Sequence, residues 1–577
     1  MSGTLFERQP DDPSRYYFVY DSDADSKPIP GLLDLNGPIG NVSFYSQQRR
    51  GFYVASLVKQ YLDSGDSSKT ANKNVLIVGA GLSGATCYLA LKSLGVEGVV
   101  LAEIANNAFT KQEHASHRFA HPSLAEWPLA EAFNSTTNLP FLNWHSGPID
   151  EVAAQIKRDP VWQRYLGNPD ANNDLLFSTN ITDVTKDDNR FLVQGYALDS
   201  HGMRKELLDA SYACVVFATG YQEYEGVADY AGYWEENRAA RATAVSDKNL
   251  DRPLVVVGNG DGAIIELGNI FVKDSKIEPL LVALVSELRD DHVRKFDDPE
   301  LPKRSAFETR FKTLLEEKFR NQQNFDTGIR SALLPSKSKI KEVLKGQAQY
   351  NHSQSRMEAF LVSQKHPFLS NKCSPISLLA YTLMLDPYLH EYWGLDNHRI
   401  ALEHIRRNYP NAGSGTEFDD SVVQVRSKRK PNFFFRHFAK TKIELFGFRN
   451  PEERNSDIGL GENFRTGDYE TAQKKGTYYF AAMGLGGSPE KNIDLWVEYK
   501  LDLAKKYCDG HFAGSVVSRR REETFIYLDF EQNKSKYRNM GGFDFELYGE
   551  TVRYRSKRDL TRVLSAEVSG ENEGAAT

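Results

Sequence analysis

Residues Asn74 to Gly84 read NVLIVGAGLSG, an apolar run that enters a GxGxxG turn directly. Each glycine in that pattern has a separate task. Gly79 permits a tight turn, Gly81 leaves room for a pyrophosphate to approach the backbone, and Gly84 lets the next helix pack close to the strand. A helix starting at Leu82 would aim unpaired backbone N–H groups and the positive end of its dipole at the same point. Ala80 completes the turn and Ser83 adds a hydroxyl. The chemistry such a turn serves is the binding of a dinucleotide. In such sites an acidic residue about twenty positions further on takes a ribose hydroxyl, and Glu103, which closes the apolar segment VEGVVLAE, stands at that distance.

The elements that must position this turn follow from the surrounding pattern. Val75 to Val78 predicts a buried parallel strand, SGATCYLALKSLG a helix and VEGVVLAE a second strand, together a βαβ unit. From Leu175 the pattern shortens to LLFS, ITDVTKD and RFLVQGYALD, with turns at Asp188–Asn189 and around Ser200 to Gly202, which predicts a three-stranded β-meander. It ends in YACVVFATGYQ, an apolar strand from Tyr212 to Phe217 followed by Ala218, Thr219, Gly220 and Tyr221.

The order βαβ, meander, then a strand closing in ATG resembles the FAD domain of two-dinucleotide-domain flavoproteins. FATGY in particular is similar to the flavin-containing and N-hydroxylating monooxygenases. This resemblance implies FAD at the first turn, with Thr219 and Gly220 small because the chain passes the cofactor there. It also implies a second βαβ unit for NAD(P)H, and RPLVVVGNGDGAIIELGNIF supplies Gly258, Gly260 and Ala263 in a GxGxxA register. Asp261 is out of keeping with that role, since a carboxylate repels a pyrophosphate. The next segment, LLVALVSE, is expected as a strand ending at Glu287 with Arg289 just beyond; the first suits the ribose of NAD and the second the 2′-phosphate of NADP, so the preference stays open.

Further along, Asp290 to Arg407 reads as mostly polar helix, including AFETRFKTLLEEKFRNQQ and MEAFLVSQ, and is longer than a nicotinamide domain needs. The strand Thr477 to Ala482, a glycine turn at Gly484, Gly486 and Gly487, and a long helix after it resemble the C-terminal return of the family's FAD domain. An ordinary strand-to-helix turn is the alternative. The expected fold is thus α/β, with two Rossmann-like dinucleotide-binding domains, a β-meander and a helical insertion. The divisions are an N-terminal extension (1–72), the first part of the FAD domain (73–250), the NAD(P)-binding-like domain with its insertion (251–445), the FAD-domain return (446–510) and a C-terminal extension (511–577).

Two departures from the family pattern bear on the reaction. No FxGxxxHxxxW fingerprint lies between the two turns, and Gly226 stands where a His or Pro is expected after FATGY. In place of the fingerprint the chain has SHRFAHPSLAEWP, whose Arg118, His121 and Trp127 are the candidate catalytic residues. Arg118 would hold an anion, His121 would move protons near neutral pH and Trp127 would stack on a ring. The alternative is that His121 and Trp127 pack under the loop and Arg118 caps a helix end. Three functions remain open: an NAD(P)H-dependent monooxygenase acting on a small organic molecule, a flavin dehydrogenase, reductase or oxidase without oxygen insertion, and a nucleotide-binding sensing or interaction protein.

Composition limits the rest. A chain of 577 residues suits two or three domains, with 40% hydrophobic and 26% charged residues as in soluble proteins. A net charge of −7 gives no general attraction to nucleic acid. No stretch approaches the roughly eighteen apolar residues of a membrane span, and the first residues lack a basic start and apolar stretch, so a cytoplasmic location without a membrane partner is expected. Cys87, Cys214, Cys373 and Cys508 form no CxxC pair and no metal-ligand spacing. The partner expected is a small-molecule substrate; self-association into a homo-oligomer is left open.

Overall fold

The computed structural model describes residues 18–20, 28–35, 43–64, 74–128, 133–167, 174–187, 190–199, 201–220, 254–257, 261–272, 277–289, 306–317, 328–329, 331–345, 359–362, 374–385, 423–426, 431–435, 489–509, 544–547 and 550–553. An antiparallel pair, β1 (Phe18–Tyr20) and β2 (Pro28–Asp34), leads to α1 (Phe44–Asp63). Ser43 starts that helix by a reciprocal cap: its hydroxyl accepts from the Ser46 N–H at 2.9 Å, while the Ser46 hydroxyl accepts from the Ser43 N–H at 2.7 Å. Next come β3 (Val75–Val78), α2 (Leu82–Ser93) and β4 (Val99–Ala102), the expected βαβ unit, with Val75 opposite Val99 in parallel register.

The connection out of β4 carries α3 (Thr110–Glu113), the short pair β5 (Phe119–Ala120) and β6 (Gly147–Pro148), α4 (Ile149–Lys157) and α5 (Pro160–Tyr165). Then follow β7 (Leu175–Leu176), β8 (Thr179–Asp187), β9 (Arg190–Leu198), β10 (Arg204–Tyr212) and β11 (Cys214–Phe217). The main sheet runs β1-β2-β11-β3-β4-β7, and every neighbouring pair from β2 across to β7 is parallel. The fold is mixed α/β around a parallel sheet. Its strands VLIV, VVLA and CVVF are near-continuous apolar runs because both faces are covered. Val75, Ile77, Val99, Leu101, Cys214 and Val216 pack with the helices, and Leu76, Ala102 and Val215 pack with Phe191, Val193 and Tyr212 of the meander.

Two assignments in this region differ from the sequence reading. The meander is β8, β9 and β10, whereas LLFS leaves it and pairs in parallel with β4, because its two leucines extend the apolar sheet edge. The segment 1–72, read as an extension packed on the domain, supplies a strand of the sheet itself: β2 lies beside β11, Leu32 opposite Val215. Helix α1 lies against α2.

In the second region β12 (Leu254–Val257) is followed by α6 (Asp261–Phe271), α7 (Ile277–Leu288), α8 (Ala306–Glu317), α9 (Lys337–Leu344), β13 (Ala359–Val362) and α10 (Pro375–Leu385). The segment LLVALVSE is helix α7, not a strand. Its buried residues Ile277, Leu280, Leu281, Leu284, Val285 and Leu288 repeat at helical spacing, with Ala283, Ser286 and Glu287 exposed between them. Conversely, AFLV within MEAFLVSQ is strand rather than helix, since four consecutive apolar residues suit a parallel partner of β12, which β13 is. Helix α8 lies where the sequence predicts one.

A last long helix, α11 (Pro489–Asp509), returns to the first region and lies against α1, α2 and α5. Val497, Leu503, Ala504, Tyr507 and Cys508 join the core built by those helices, with Tyr507 edge-on to Phe52 at 4.9 Å between ring centroids. The strand expected at 477–482 and the turn containing Gly484 lie outside the described residues.

Candidate dinucleotide site

The glycine turn joins the carboxyl end of β3 to the start of α2, beside the carboxyl ends of β4 and β11. In open parallel sheets ligands bind at this edge. The backbone ladder continues past the strands: Gly79 N–H donates to Ala102 O at 2.7 Å, and Ala218 N–H to Val78 O at 2.7 Å. These bonds fix the turn against both neighbours.

The three glycines divide their tasks sharply. Gly79 has φ +105°, and a Cβ there would stand 2.4 Å from the carbonyl oxygen of Ala218. A Cβ on Gly84 would stand 1.9 Å from the carbonyl oxygen of Gly79. Both positions therefore need glycine for the fold. A Cβ on Gly81, in contrast, would meet nothing within 4 Å among the described residues. Its side of the turn faces open space.

Gly81 is also the N-cap of α2, and no side chain caps this helix; its first turn holds no acidic residue. Leu82 and Ser83 are buried in that turn. The N-terminal N–H groups of α2 and the partial positive charge of the helix are thus directed at a space that no described residue fills at Gly81, which is what a pyrophosphate needs. The residues present fit a dinucleotide.

Glu103 lies where β4 ends, and its carboxylate spans the loop: Oε2 accepts from Ala80 N–H at 2.7 Å and Oε1 from Ala105 N–H at 2.9 Å. Ala80 is fully buried and its carbonyl accepts from Phe109 N–H at 3.4 Å, so the chain leaving β4 folds back across the turn. Thr219 and Gly220 follow β11 at the same edge, exposed, with Gly220 at φ +74°. The structure therefore brings together Gly79 to Gly84, Glu103, Thr219 and Gly220.

The second turn is less complete. Gly258 and Gly260 lie outside the described residues, and Ala263 falls in the first turn of α6. Asp261 opens α6 as a buried carboxylate whose Oδ1 accepts both the backbone N–H and the hydroxyl of Ser374 at 2.8 Å each; Ser374 and Ser377 are buried beside it. The carboxylate favours the helix N-terminus on its own account. A strand and a helix flank the expected turn, whereas Asp261 already holds the position at the helix start, and with α7 a helix neither Glu287 nor Arg289 ends a strand that would reach a ribose.

Arg118, His121 and Trp127 are brought into one buried wall, 1–3% exposed, facing the second region. Arg118 forms an ion pair with Glu266 of α6, both side chains nearly inaccessible. The His121 Nδ1 accepts from Ser123 N–H at 3.1 Å, and its ring stacks on Phe133 at 4.5 Å. Trp127 donates its indole N–H to Glu308 Oε1 at 2.6 Å and packs on Phe307 and Phe311. Glu266 and Glu308 were not singled out by the sequence, because nothing in their local pattern marks them as partners of a loop so far away.

The thiols are buried instead of reactive. Burial raises those of Cys87 and Cys214, and pushes that of Cys508 up to about 12. Cys373 lies outside the described residues. No group of three or more metal-ligating side chains occurs among the described residues, and no described helix is long and apolar enough to cross a membrane.

Comparison with known proteins gives a distant likeness of fold. No family model matches the sequence, and no curated protein matches it. Among solved structures, a bacillithiol disulfide reductase from Bacillus cereus is 17% identical with a TM-score of 0.22, covering 33% of this chain and 53% of its own. Cyclohexanone monooxygenase from Rhodococcus sp. Phi1, bound to NADP+, is 16% identical with a TM-score of 0.19, covering 33% and 34%. A polycyclic ketone monooxygenase from the thermophilic fungus Thermothelomyces thermophila is 10% identical with a TM-score of 0.25, covering 85% of this chain and 97% of its own. The chain thus spans about half of the reductase's length and a third of the cyclohexanone monooxygenase's. At TM-scores this low the likeness bears on none of the residue roles above.

Proposed function

We propose that this chain is an FAD-dependent oxidoreductase acting on a small organic molecule, with FAD at the Gly79–Gly84 turn and NAD(P)H as electron donor at the second turn. The observation that carries the reading is the uncapped start of α2 facing open space at Gly81. Bound there, the flavin would supply hydride acceptance and transfer. The protein's part is to receive the pyrophosphate on the N–H groups of α2, to offer the free acceptor capacity of Glu103 to the adenosine ribose, and to pass the small residues Thr219 and Gly220 beside the cofactor. Oxygen insertion of the monooxygenase kind is the finer reading, supported by the FATGY resemblance alone.

A second reading has one observation of its own. The Asp261 carboxylate, tied to Ser374 at the start of α6, favours a flavin reduced by its substrate, as in an oxidase or dehydrogenase. Three measurements in sequence separate these outcomes. Purified protein carries an absorbance of oxidised flavin; a colourless protein that gains none on reconstitution sinks the proposal. Anaerobic NADH or NADPH bleaches that absorbance, and failure of both leaves the second reading. If reduction succeeds, hydrogen peroxide released in step with nicotinamide oxidised, in the presence of candidate substrates, counts against oxygen insertion.

A further inference from the structure

The wall built by Arg118, His121 and Trp127 closes on itself through the second region. Arg118 pairs with Glu266 on α6, the helix that follows β12. Trp127 donates to Glu308 on α8, and the same oxygen of Glu308 lies 3.7 Å from Arg289 Nε, just past the end of α7. Arg289 in turn stands over the ring of Phe133, 5.7 Å from its centroid, and Phe133 stacks on His121. One loop thereby grips α6 and α8 through two nearly buried carboxylates, and Arg289 at the end of α7 joins them through Glu308.

That loop also touches the first site. Its chain leaves β4 at Glu103, crosses the glycine turn where Phe109 N–H meets Ala80 O, and reaches Glu266 only nine residues after Phe109, at Arg118. A buried carboxylate is costly unless charged or N–H donors meet it, so each of these two holds its donor in place more firmly than a surface pair would. Apolar packing alone would let the loop slide; the buried ion pair at Arg118 and the hydrogen bond of Trp127 oppose it.

We infer that Glu266 and Glu308 are positioning residues that set the placement of α6 and α8 relative to the Gly79–Gly84 turn by clasping the loop at Arg118 and Trp127. The inference rests on the reading above, in which hydride passes from a nicotinamide at the second turn to the flavin at the first. Both carboxylates face the loop, Glu266 at Arg118 and Glu308 at Trp127. Their effect is on the relative placement of the two sites, to which hydride transfer is sensitive at the ångström level.

The test uses full-length protein with its flavin bound and the variants Glu308→Ala, Glu266→Ala and Trp127→Phe. The last keeps an aromatic ring in the stack and removes only the N–H donor, so it stands in if a carboxylate variant does not fold. Amide hydrogen exchange is followed in peptides covering 118–128, with 306–317 for the Glu308 and Trp127 variants and 261–271 for the Glu266 variant. Loss of the bond is expected to speed exchange in both segments together by roughly tenfold. Anaerobic reduction by NAD(P)H is expected to slow by a similar factor, while flavin content and photochemical reduction stay as in the unaltered protein. Faster exchange confined to one segment overturns the clasp, and unchanged NAD(P)H reduction with both segments loosened overturns its positioning role. If unaltered protein is not bleached by either nucleotide, the nicotinamide reading falls, the positioning role falls with it, and the exchange result alone decides the clasp.

Discussion

Glu103 Oε2 accepts the backbone N–H of Ala80 at 2.7 Å, so the carboxylate at the end of β4 braces the first glycine turn from inside. The second oxygen holds Ala105 N–H at 2.9 Å, which ties the departing loop to the same group. An acid at this place in the pattern is expected to face a ribose; here it has a structural task as well, and each oxygen retains a further lone pair for a ligand.

Replacing Glu103 by Ala therefore leaves the buried Ala80 without its acceptor. The expected cost is about 1–3 kcal/mol of stability, with flavin affinity lowered beyond what that loss explains. Glu103→Gln should recover most of the stability, since its carbonyl oxygen still accepts one N–H, and less of the affinity. Chemical denaturation and equilibrium dialysis against FAD, run on both variants, distinguish a brace from a ligand group. Equal loss in the two measurements would leave Glu103 a brace only.

The glycines offer a cleaner separation. Gly81→Val places its side chain in the open space before α2, where a Cβ meets nothing, so the fold is expected to stand while FAD binding is lost. Gly84→Ala, by contrast, drives a methyl group to within 1.9 Å of the Gly79 carbonyl oxygen and is expected to unfold the βαβ unit. Circular dichroism and bound-flavin absorbance on the two variants check this. Retained flavin in the Gly81 variant would mean the pyrophosphate lies elsewhere.

These glycines show what a sequence conveys well. The turn, the helix after it and Glu103 are within thirty residues of one another, and local pattern specifies all of them. Strand β2 was not legible as part of the sheet because its partner β11 lies far along the chain, and seven residues containing two prolines give little strand signal. LLVALVSE was misread for a different reason: a short apolar run satisfies both strand and buried-helix templates, and only its partners decide. Arg118 and Trp127 were legible as unusual residues, yet not their roles. Trp127 and Glu308 are 181 positions apart, so no local pattern could pair them.

Asp159 and Lys500 predict a pH dependence for the seating of α11. Burial lowers the Lys500 ammonium to about 8, although the carboxylate of Asp159 pulls it upward; burial likewise raises Asp159, against Lys500 and the N–H groups it caps. Lys500 thus titrates below the roughly 10.4 of an unfolded lysine. Between about pH 8 and that value the unfolded chain binds more protons, so this group makes stability rise with pH across the window and adds a constant cost below it. Denaturation midpoints measured from pH 7 to 10 are expected to carry this rise, and Lys500→Met to remove it. Lys500→Met should also destabilise α11 at neutral pH, because Asp159 loses its counter-charge. A flat difference between the two proteins over the window would refute the assignment.

On the proposed reading, Asp261 stands where a nicotinamide nucleotide would meet the start of α6. Its Oδ1 takes two bonds from Ser374, and an asparagine there retains an oxygen able to accept both, so Asp261→Asn is expected to change stability by less than about 1 kcal/mol. What it removes is a negative charge at the start of α6. If pyrophosphate approaches that helix, the repulsion falls and the concentration of NADH or NADPH giving half-maximal flavin reduction should drop several-fold, with the limiting rate little altered. The helix dipole makes the sign firm, since its positive end then acts on the ligand without competition from the protein's own carboxylate. An unchanged concentration dependence would place the nucleotide away from α6, and Asp261 would then be a structural anion that seats α10 through Ser374.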